Sequence, residues 1–402
     1  MQVSGTALER LRAAAQAREA AGLRRAVWSR GPDFDGMLDL ASNDYLGLCG
    51  DPRLAAAAGA AAARWGTGAT GSRLVTGTTT LHGQLEAALA RYTGAPGALV
   101  LSSGYLANLA VVTALSTALA ATPAGSAPDS VLIVADERNH ASLIDACRLA
   151  RTRSVRLAVA PHGDVAAVRA LLAARPEQSA LVVSDAVFSV GGTLAPVAAL
   201  HAAAREHGAL LVLDEAHALG VLGPAGAGAA AGLGLAGAPD LIRTVTLSKS
   251  LASQGGAVLA APEVLQTVID TGRGFIFDTG LAPPSAAAAL AALDVLSAEP
   301  RLGRGQAALA AAATLAKIAA DLGLAVVAPD AAVLAVIIGD PRAAVAAREI
   351  CAREGVRVGC FRPPAVPAGQ ACLRLTARAT LTESDFATAA RALAKVREQS
   401  GS

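Results

Sequence analysis

Leu210-Leu-Val-Leu-Asp-Glu-Ala-His217 decides how this chain is read. Four apolar residues run without alternation and end on a carboxylate. An unbroken apolar run of that length, closed by polar residues, marks a strand covered on both faces of a sheet. The same pattern recurs on either side. Short apolar strands are expected at Ala98–Leu101, Val131–Ala135, Val155–Ala158, Ala180–Ser184 and Thr244–Leu247. Helical stretches separate them at His82–Tyr92, Gly104–Leu119, Ala141–Ala150, Val165–Ala174 and Val197–His207. Strands alternating with helices predict an α/β fold with a mostly parallel sheet covered by helices. In such sheets ligands bind beyond the carboxyl ends of the strands. Five strand ends carry the polar chemistry there: Ser102–Tyr105, Asp136–His140, Ser184–Ser189, Asp214–His217 and Thr246–Lys249.

The last of these holds one of only three lysines in a chain with 34 Lys+Arg. A chain that writes nearly every cation as arginine keeps lysine where the amine itself is needed. Arginine neither loses its proton nor forms a Schiff base with an aldehyde. Lys317 and Lys395 sit in Ala-rich helical stretches and read as solvated. Lys249 sits in Thr244-Val-Thr-Leu-Ser-Lys-Ser250, ahead of Gln254-Gly-Gly256, with hydroxyls and glycines around it. That setting suits a lysine bound to a phosphorylated aldehyde cofactor. Asp214 then has its partner. A buried carboxylate needs a cation, and a protonated pyridine nitrogen supplies one and makes the ring an electron sink. His217 is placed to reach the ring's phenolic oxygen. A DEAH-type helicase would share the letters of Asp214–His217, but no GxxxxGK[ST] loop occurs in the sequence. A plain helix cap would leave Lys249 unexplained.

Composition narrows the field. The chain has 402 residues, 53 % of them hydrophobic, and a formal net charge of +2. That is long enough for a large domain and a smaller one, and too near neutral for a nucleic-acid surface. Thr93–Pro128 lacks charge but is broken by Gly94, Pro96 and several hydroxyls, so no membrane span is expected. Five cysteines without a CxxC pair or metal spacing suit a reducing cytoplasm. The six histidines show no zinc spacing, and no metal site is expected. No GxGxxG fingerprint follows a strand, which argues against a dinucleotide-binding oxidoreductase.

Further candidates follow from position. Ser103-Gly-Tyr105 opens a helix after a strand, and backbone N–H groups there suit a phosphate. Thr246 and Ser248 add hydroxyl donors. His140 at a strand end is placed to stack on an aromatic ring or to move a proton. His201 and His207 read as exposed helix residues, His162 as a loop residue, and His82 as the start of a helix. Arg24 and Arg362 are candidates for gripping a carboxylate through paired hydrogen bonds, although sequence physics alone does not select them. Three parts are expected: an N-terminal amphipathic helical segment (1–45), a large cofactor-binding domain (46–285) and a small α+β domain (286–402).

These residues together resemble the α-oxoamine synthases, pyridoxal-phosphate enzymes of the aspartate-aminotransferase fold type, and among them the 8-amino-7-oxononanoate synthases. The likeness covers nearly the whole chain. It is carried by Ser42-Asn-Asp-Tyr-Leu-Gly-Leu48, Gly66–Gly77, Asn139-His-Ala-Ser142, Val187-Phe-Ser189, Asp214-Glu-Ala-His217, Thr246-Leu-Ser-Lys249 and Arg362–Gly369. The resemblance implies that Lys249 holds pyridoxal 5'-phosphate and moves the substrate proton. It implies that Asp214 meets the pyridine nitrogen, His217 and Ser189 the phenolic oxygen, and that His140 stacks on the ring. Gly104, Tyr105 and Thr246 would hold the phosphate. Arg24 would serve the acyl substrate, Arg362 the amino-acid carboxylate, and Ala365 would stand on the substrate side. The implied reaction joins L-alanine to a pimeloyl thioester, carried on coenzyme A or acyl carrier protein, for biotin synthesis. A homodimer with interface active sites is implied, with Thr279 reaching the partner's phosphate.

The sequence departs from the family pattern at Ala365 (usually Thr), Gly191 (commonly Asp) and Ala218 (usually Gly). Another α-oxoamine synthase, of the glycine C-acetyltransferase or 5-aminolevulinate synthase type, is the nearest alternative. Those relatives tend to carry a His-Thr pair where this chain reads Thr376-Ala-Arg-Ala-Thr-Leu381.

Overall fold

The structure is a computed structural model that describes residues 6–32, 34–121, 131–299 and 303–400. The strands in chain order are β1 (Leu38–Leu40), β2 (Ala98–Leu101), β3 (Val131–Asp136), β4 (Val155–Ala160), β5 (Ser179–Asp185) and β6 (Leu210–Asp214). They continue as β7 (Leu241–Thr246), β8 (Gly256–Leu259), β9 (Ala325–Val326), β10 (Val333–Gly339), β11 (Val356–Phe361) and β12 (Ala371–Thr376). The chain falls into two compact units, one of residues 43–189 and 193–309, the other of residues up to 42, 190–192 and from 310 onward.

The first unit is built on a seven-stranded sheet in the order β2-β8-β7-β6-β5-β3-β4. All its pairings are parallel except those of β8, which runs antiparallel to both β2 and β7. The expected mostly parallel sheet is therefore present. Its inner strands are buried along almost their full length, as unbroken apolar sequences require when helices cover both faces. The helix Gly104–Ala120 is apolar on all sides and lies against β7, β8 and the helix Ala141–Ala150. Val111, Leu115, Ile133, Leu143, Val183 and Val212 meet in the resulting core.

The second unit carries a five-stranded sheet, β1-β11-β12-β10-β9. Leu40, Leu334, Ile350, Leu375 and Leu393 are buried in its core. The division differs from the expected boundaries at 45 and 285. β1 pairs in parallel with β11, so the N-terminal stretch completes the small sheet rather than standing alone. The helix Pro283–Ala298 packs on the helices Pro52–Trp65 and Thr80–Thr93, so it stays with the large sheet.

Other expectations change too. The N-terminal helix spans Ala7–Ala20, starts at a Thr6–Glu9 capping box and buries no residue, so it is not amphipathic against a core. β8, β9 and β11 were not expected: β8 and β9 are too short to show a period, and glycine and cysteine blur the alternation of β11. His201 is buried rather than exposed, because it shares a helix face with Val197, Leu200 and Ala204; its Nε2 meets Asp240 Oδ1 at 3.0 Å. Lys317 and Lys395 are solvated, as expected, and pair with Asp321 and Glu398. No described helix is long and apolar enough to cross a membrane.

Candidate active site

β2, β3, β5, β6 and β7 all run the same way, so their carboxyl ends share one edge of the sheet. Asp136, Asp185, Asp214 and Thr246 are the last residues of β3, β5, β6 and β7. The geometry of this edge is set by three side-chain systems.

The first surrounds Lys249. Its turn joins β7 to β8 and is closed by Leu247 N–H to Gly255 O at 2.9 Å and Ser253 N–H to Leu247 O at 3.0 Å. Ser250 Oγ donates to Leu219 O at 2.6 Å, which ties the lysine turn to the segment that follows His217. Gly220 permits this approach. Its φ is +82°, and a Cβ there would lie 2.5 Å from that of Ser250. Lys249 Nζ thereby reaches His217 Nε2 at 2.7 Å. On the other side of the ring, Nδ1 lies 2.6 Å from Tyr45 Oη, whose proton goes to Asn43 Oδ1 at 3.1 Å. His217 thus bridges Tyr45 and the lysine through its two ring nitrogens.

The second system surrounds Asp214. Its Oδ1 accepts from Ala216 N–H at 2.8 Å and its Oδ2 from Asn108 Nδ2 at 2.7 Å. Asn108 Oδ1 accepts from Thr244 Oγ1 at 2.6 Å, and its amide also donates to Ser142 Oγ at 2.8 Å. The serine hydroxyl then meets His140 Nδ1 at 2.7 Å, and Ser142 N–H points to the same nitrogen at 3.3 Å. Nδ1 is thus an acceptor and the ring's N–H sits at Nε2. His140 is also the N-cap of the helix Ala141–Ala150, so the structural reading and the functional one coincide. Asp214 itself is 6 % exposed, and no ion pair reaches it among the described residues.

The third system is an anion cradle. Ser103 caps the helix Gly104–Ala120 through its Oγ, and the N–H groups of the first turn face the strand ends. Gly104 lies against Thr246, whose Oγ1 is 2.7 Å from Ser248 Oγ; a Cβ on Gly104 would sit 3.0 Å from Thr246 Cβ. Gly256 at the start of β8 is closer still, since a Cβ there would lie 2.4 Å from Gly104 N. The side chain of Tyr105 turns away, its Oη donating to Asp145 Oδ2 at 2.5 Å, so this residue offers the cradle its backbone N–H. Ser189 follows β5 in the turn closed by the Val187–Leu194 bridge.

One edge therefore gathers a helix N-terminus with hydroxyls, an amine beside an imidazole, and a buried carboxylate that no cation pairs among the described residues. A phosphorylated pyridine aldehyde matches that set. Its phosphate answers the cradle, its aldehyde the amine, and its protonated ring nitrogen is the cation that Asp214 lacks.

Arg24, Arg362 and Ala365 belong to the unit with the five-stranded sheet. Arg362 donates through Nη1 to Gly22 O and through Nη2 to Arg24 O at 3.2 Å, which brings the two arginine segments together. The Arg24 side chain pairs with Glu19 Oε1 at 2.7 Å in solvent. Ala365 N–H closes a turn onto Arg362 O at 3.0 Å. Thr279 is exposed and bridges Ser72. His82 lies inside its own unit, capping the helix Thr80–Thr93 and meeting Leu281 O at 3.0 Å. Its burial, aided by the charge of Arg73, pushes the imidazole down to about 4. His162 lies in its loop, pairs with Asp136 at 3.1 Å and stands edge-on to Phe188.

Sequence reasoning gave no role to Tyr45, Asn43, Asn108, Ser142, Thr244 or Asp185. A signal existed for Asn108 and Thr244, which are polar residues inside an apolar helix and an apolar strand. Among the described residues no His, Cys, Asp and Glu cluster could hold a metal ion.

The family model for class I and II aminotransferases matches residues 35–393. The 8-amino-7-oxononanoate synthase of Mycobacterium sp. (strain JLS) is 54 % identical over 382 residues, covering 95 % of this chain and 94 % of its own. That of Mycobacterium tuberculosis (strain ATCC 25177 / H37Ra) is 52 % identical over 395 residues, covering 98 % and 97 %. Among solved structures, serine palmitoyltransferase from S. paucimobilis with bound PLP superimposes with a TM-score of 0.87 at 27 % identity, over 99 % of this chain and 100 % of that one. The 8-amino-7-oxononanoate synthase of Francisella tularensis, at 24 % identity and a TM-score of 0.72 over 90 % and 98 %, shares the fold.

Proposed function

The chain belongs to the class I and II aminotransferase family and, within it, to the 8-amino-7-oxononanoate synthases, and from that premise we propose how its residues carry the reaction. The enzyme is a pyridoxal 5'-phosphate-dependent acyltransferase that condenses L-alanine with a pimeloyl thioester. Carbon dioxide and the free thiol carrier leave, and 8-amino-7-oxononanoate is formed for biotin synthesis. When bound, the cofactor supplies an electron sink for the carbanion at the alanine Cα.

The chain's own residues do the rest. Lys249 would hold the cofactor, and its amine would remove and return the Cα proton of alanine. His217 Nε2 holds that amine by a hydrogen bond and so fixes where the lysine points. Asp214 is oriented by two donors and would meet the ring nitrogen. His140, its Nδ1 tied to Ser142, presents a fixed ring face and an Nε2–H. Gly104, Tyr105 and Thr246 would offer N–H and hydroxyl donors to the phosphate, and Ser189 and His217 would serve the phenolic oxygen. Arg362 serves the alanine carboxylate, Arg24 the acyl substrate, and Ala365 borders them. Exposed Leu74, Val75 and Phe277 on the unit with the large sheet favour a homodimer, in which Thr279 would serve the partner's phosphate. Five free thiols suit the cytoplasm.

The observation that carries this reading is the buried Asp214 without a cation, set in one network with Asn108, Ser142 and His140. Product analysis tests it. With pimeloyl thioester, L-alanine should give 8-amino-7-oxononanoate, and glycine or L-serine little product. Faster turnover of glycine with a short acyl thioester would place the chain with another α-oxoamine synthase instead.

A further inference from the structure

Asp185 has no part in the mechanism above, yet it stands at its centre. It ends β5 directly opposite Asp214, the two residues being register partners across the β5–β6 pair. It is 2 % exposed. Two acids in direct register, buried side by side, cannot both ionise without a cation between them. The donors around them are shared unequally. Asp214 has Ala216 N–H and Asn108 Nδ2. Asp136, at the end of the next strand, has Arg138 N–H, Gly163 N–H and the His162 ring. Asp185 has one, the His140 N–H, at 2.6 Å from Oδ2. Of the three acids, Asp185 has the fewest donors to hold a charge.

The Asp185 contact is also the one that fastens the His140 turn. Asn139 completes the clasp, its Nδ2 donating to Val183 O at 2.8 Å and its Oδ1 accepting from Asp185 N–H at 3.0 Å. We propose that Asp185 is a positioning residue, a neutral acid that clips the Asn139–His140 turn to β5 and so holds the His140 ring in register with Asp214. The proposal rests on His140 facing the cofactor, as read above. Supporting it, burial raises the Asp185 carboxyl well above the usual aspartate range. The charges of Asp214 and Asp136 add to that, against the opposing pull of the His140 N–H and Lys249.

Two substitutions separate this role from a merely structural one. Asp185→Asn keeps an acceptor for His140 N–H and is neutral at every pH. Asp185→Ala removes the clip. The pH dependence of stability has a definite sign. An acid whose folded pKa is raised binds its proton more tightly folded than unfolded, so wild-type stability falls as pH climbs from about 4 toward the raised value. Asp185→Asn escapes that loss. In the cofactor-free protein its Tm should exceed wild type by about 2 °C or more near pH 8, and the difference should vanish near pH 4. In the holoenzyme it should keep kcat within about twofold of wild type, while Asp185→Ala should lose about tenfold or more through a misplaced ring. A Tm difference that is the same at both pH values overturns the proposal, as does an Asp185→Asn enzyme no faster than Asp185→Ala. If the alanine variant does not fold, the asparagine variant's two Tm measurements decide. Failure of the broader reading would show instead as wild-type enzyme making no 8-amino-7-oxononanoate, and it leaves the stability test untouched.

Discussion

The functional candidates of the two units are held in different ways. On the seven-stranded sheet several of them are fixed by the main chain first. Asp214 and Thr246 are last residues of strands, His140 is a helix cap, and Gly104 begins a helix. Their side chains are then joined by buried hydrogen bonds that run from Thr244 through Asn108 and Ser142 to His140. In the unit with the five-stranded sheet, Arg24 and Arg362 hang from loops. Arg362 is steadied by carbonyl oxygens, and Arg24 by an exposed ion pair with Glu19. Such an exposed pair is worth about 0–1 kcal/mol. On the proposed reading, chemistry that needs fixed atoms would be built on the first unit, and recognition that tolerates adjustment on the second.

Substitutions can break this contrast. The largest effect is expected at Lys249. Lys249→Ala removes the only amine at the sheet edge, so turnover should be lost and borohydride should fix no cofactor to the protein. Normal turnover would mean that the strand-end network is not the reactive centre. A smaller effect is expected from Arg362→Ala. Loss of a charge-assisted contact to carboxylate should raise KM for alanine by roughly 10- to 150-fold, with the cofactor absorbance kept. An altered absorbance with unchanged KM would show that this arginine acts on the cofactor rather than on substrate. The smallest is Ala365→Thr. A regained neutral hydrogen bond should lower one substrate's KM about two- to tenfold. A KM that rises would show a pocket packed around the methyl group.

How far the sequence could be read follows the same contrast. β3, β5 and β6 were found within a residue of their ends because apolar runs buried on both faces have no other use. The residues just past them followed from the rule that binding sites lie there. Asp185 was not singled out, because nothing in the sequence says which of two paired strand-end acids carries the charge. That depends on Asn108, which comes from a helix far away in sequence. Tyr45 was missed for the same reason, since its contact to His217 joins distant parts of the chain. That β1 belongs to the small sheet was not legible either. Its partner β11 reads Val-Arg-Val-Gly-Cys-Phe, where glycine and cysteine blur the alternation.

β8 has a consequence for the order in which the protein is made. It stands between β2 and β7 and is antiparallel to both. A ribosome delivers β2 and the helix start at Gly104 early, then β3 to β7, and only afterwards the strand that must be wedged beside β2. Pairings that close so long a loop form late, because the chain entropy is lost before the contacts reward it. Lys249 and Asp214 emerge before that closure, but Gly104 cannot be seated on Gly256 until it happens. On the proposed reading, a nascent chain thus carries Lys249 before the Gly104 turn that would hold a phosphate is seated.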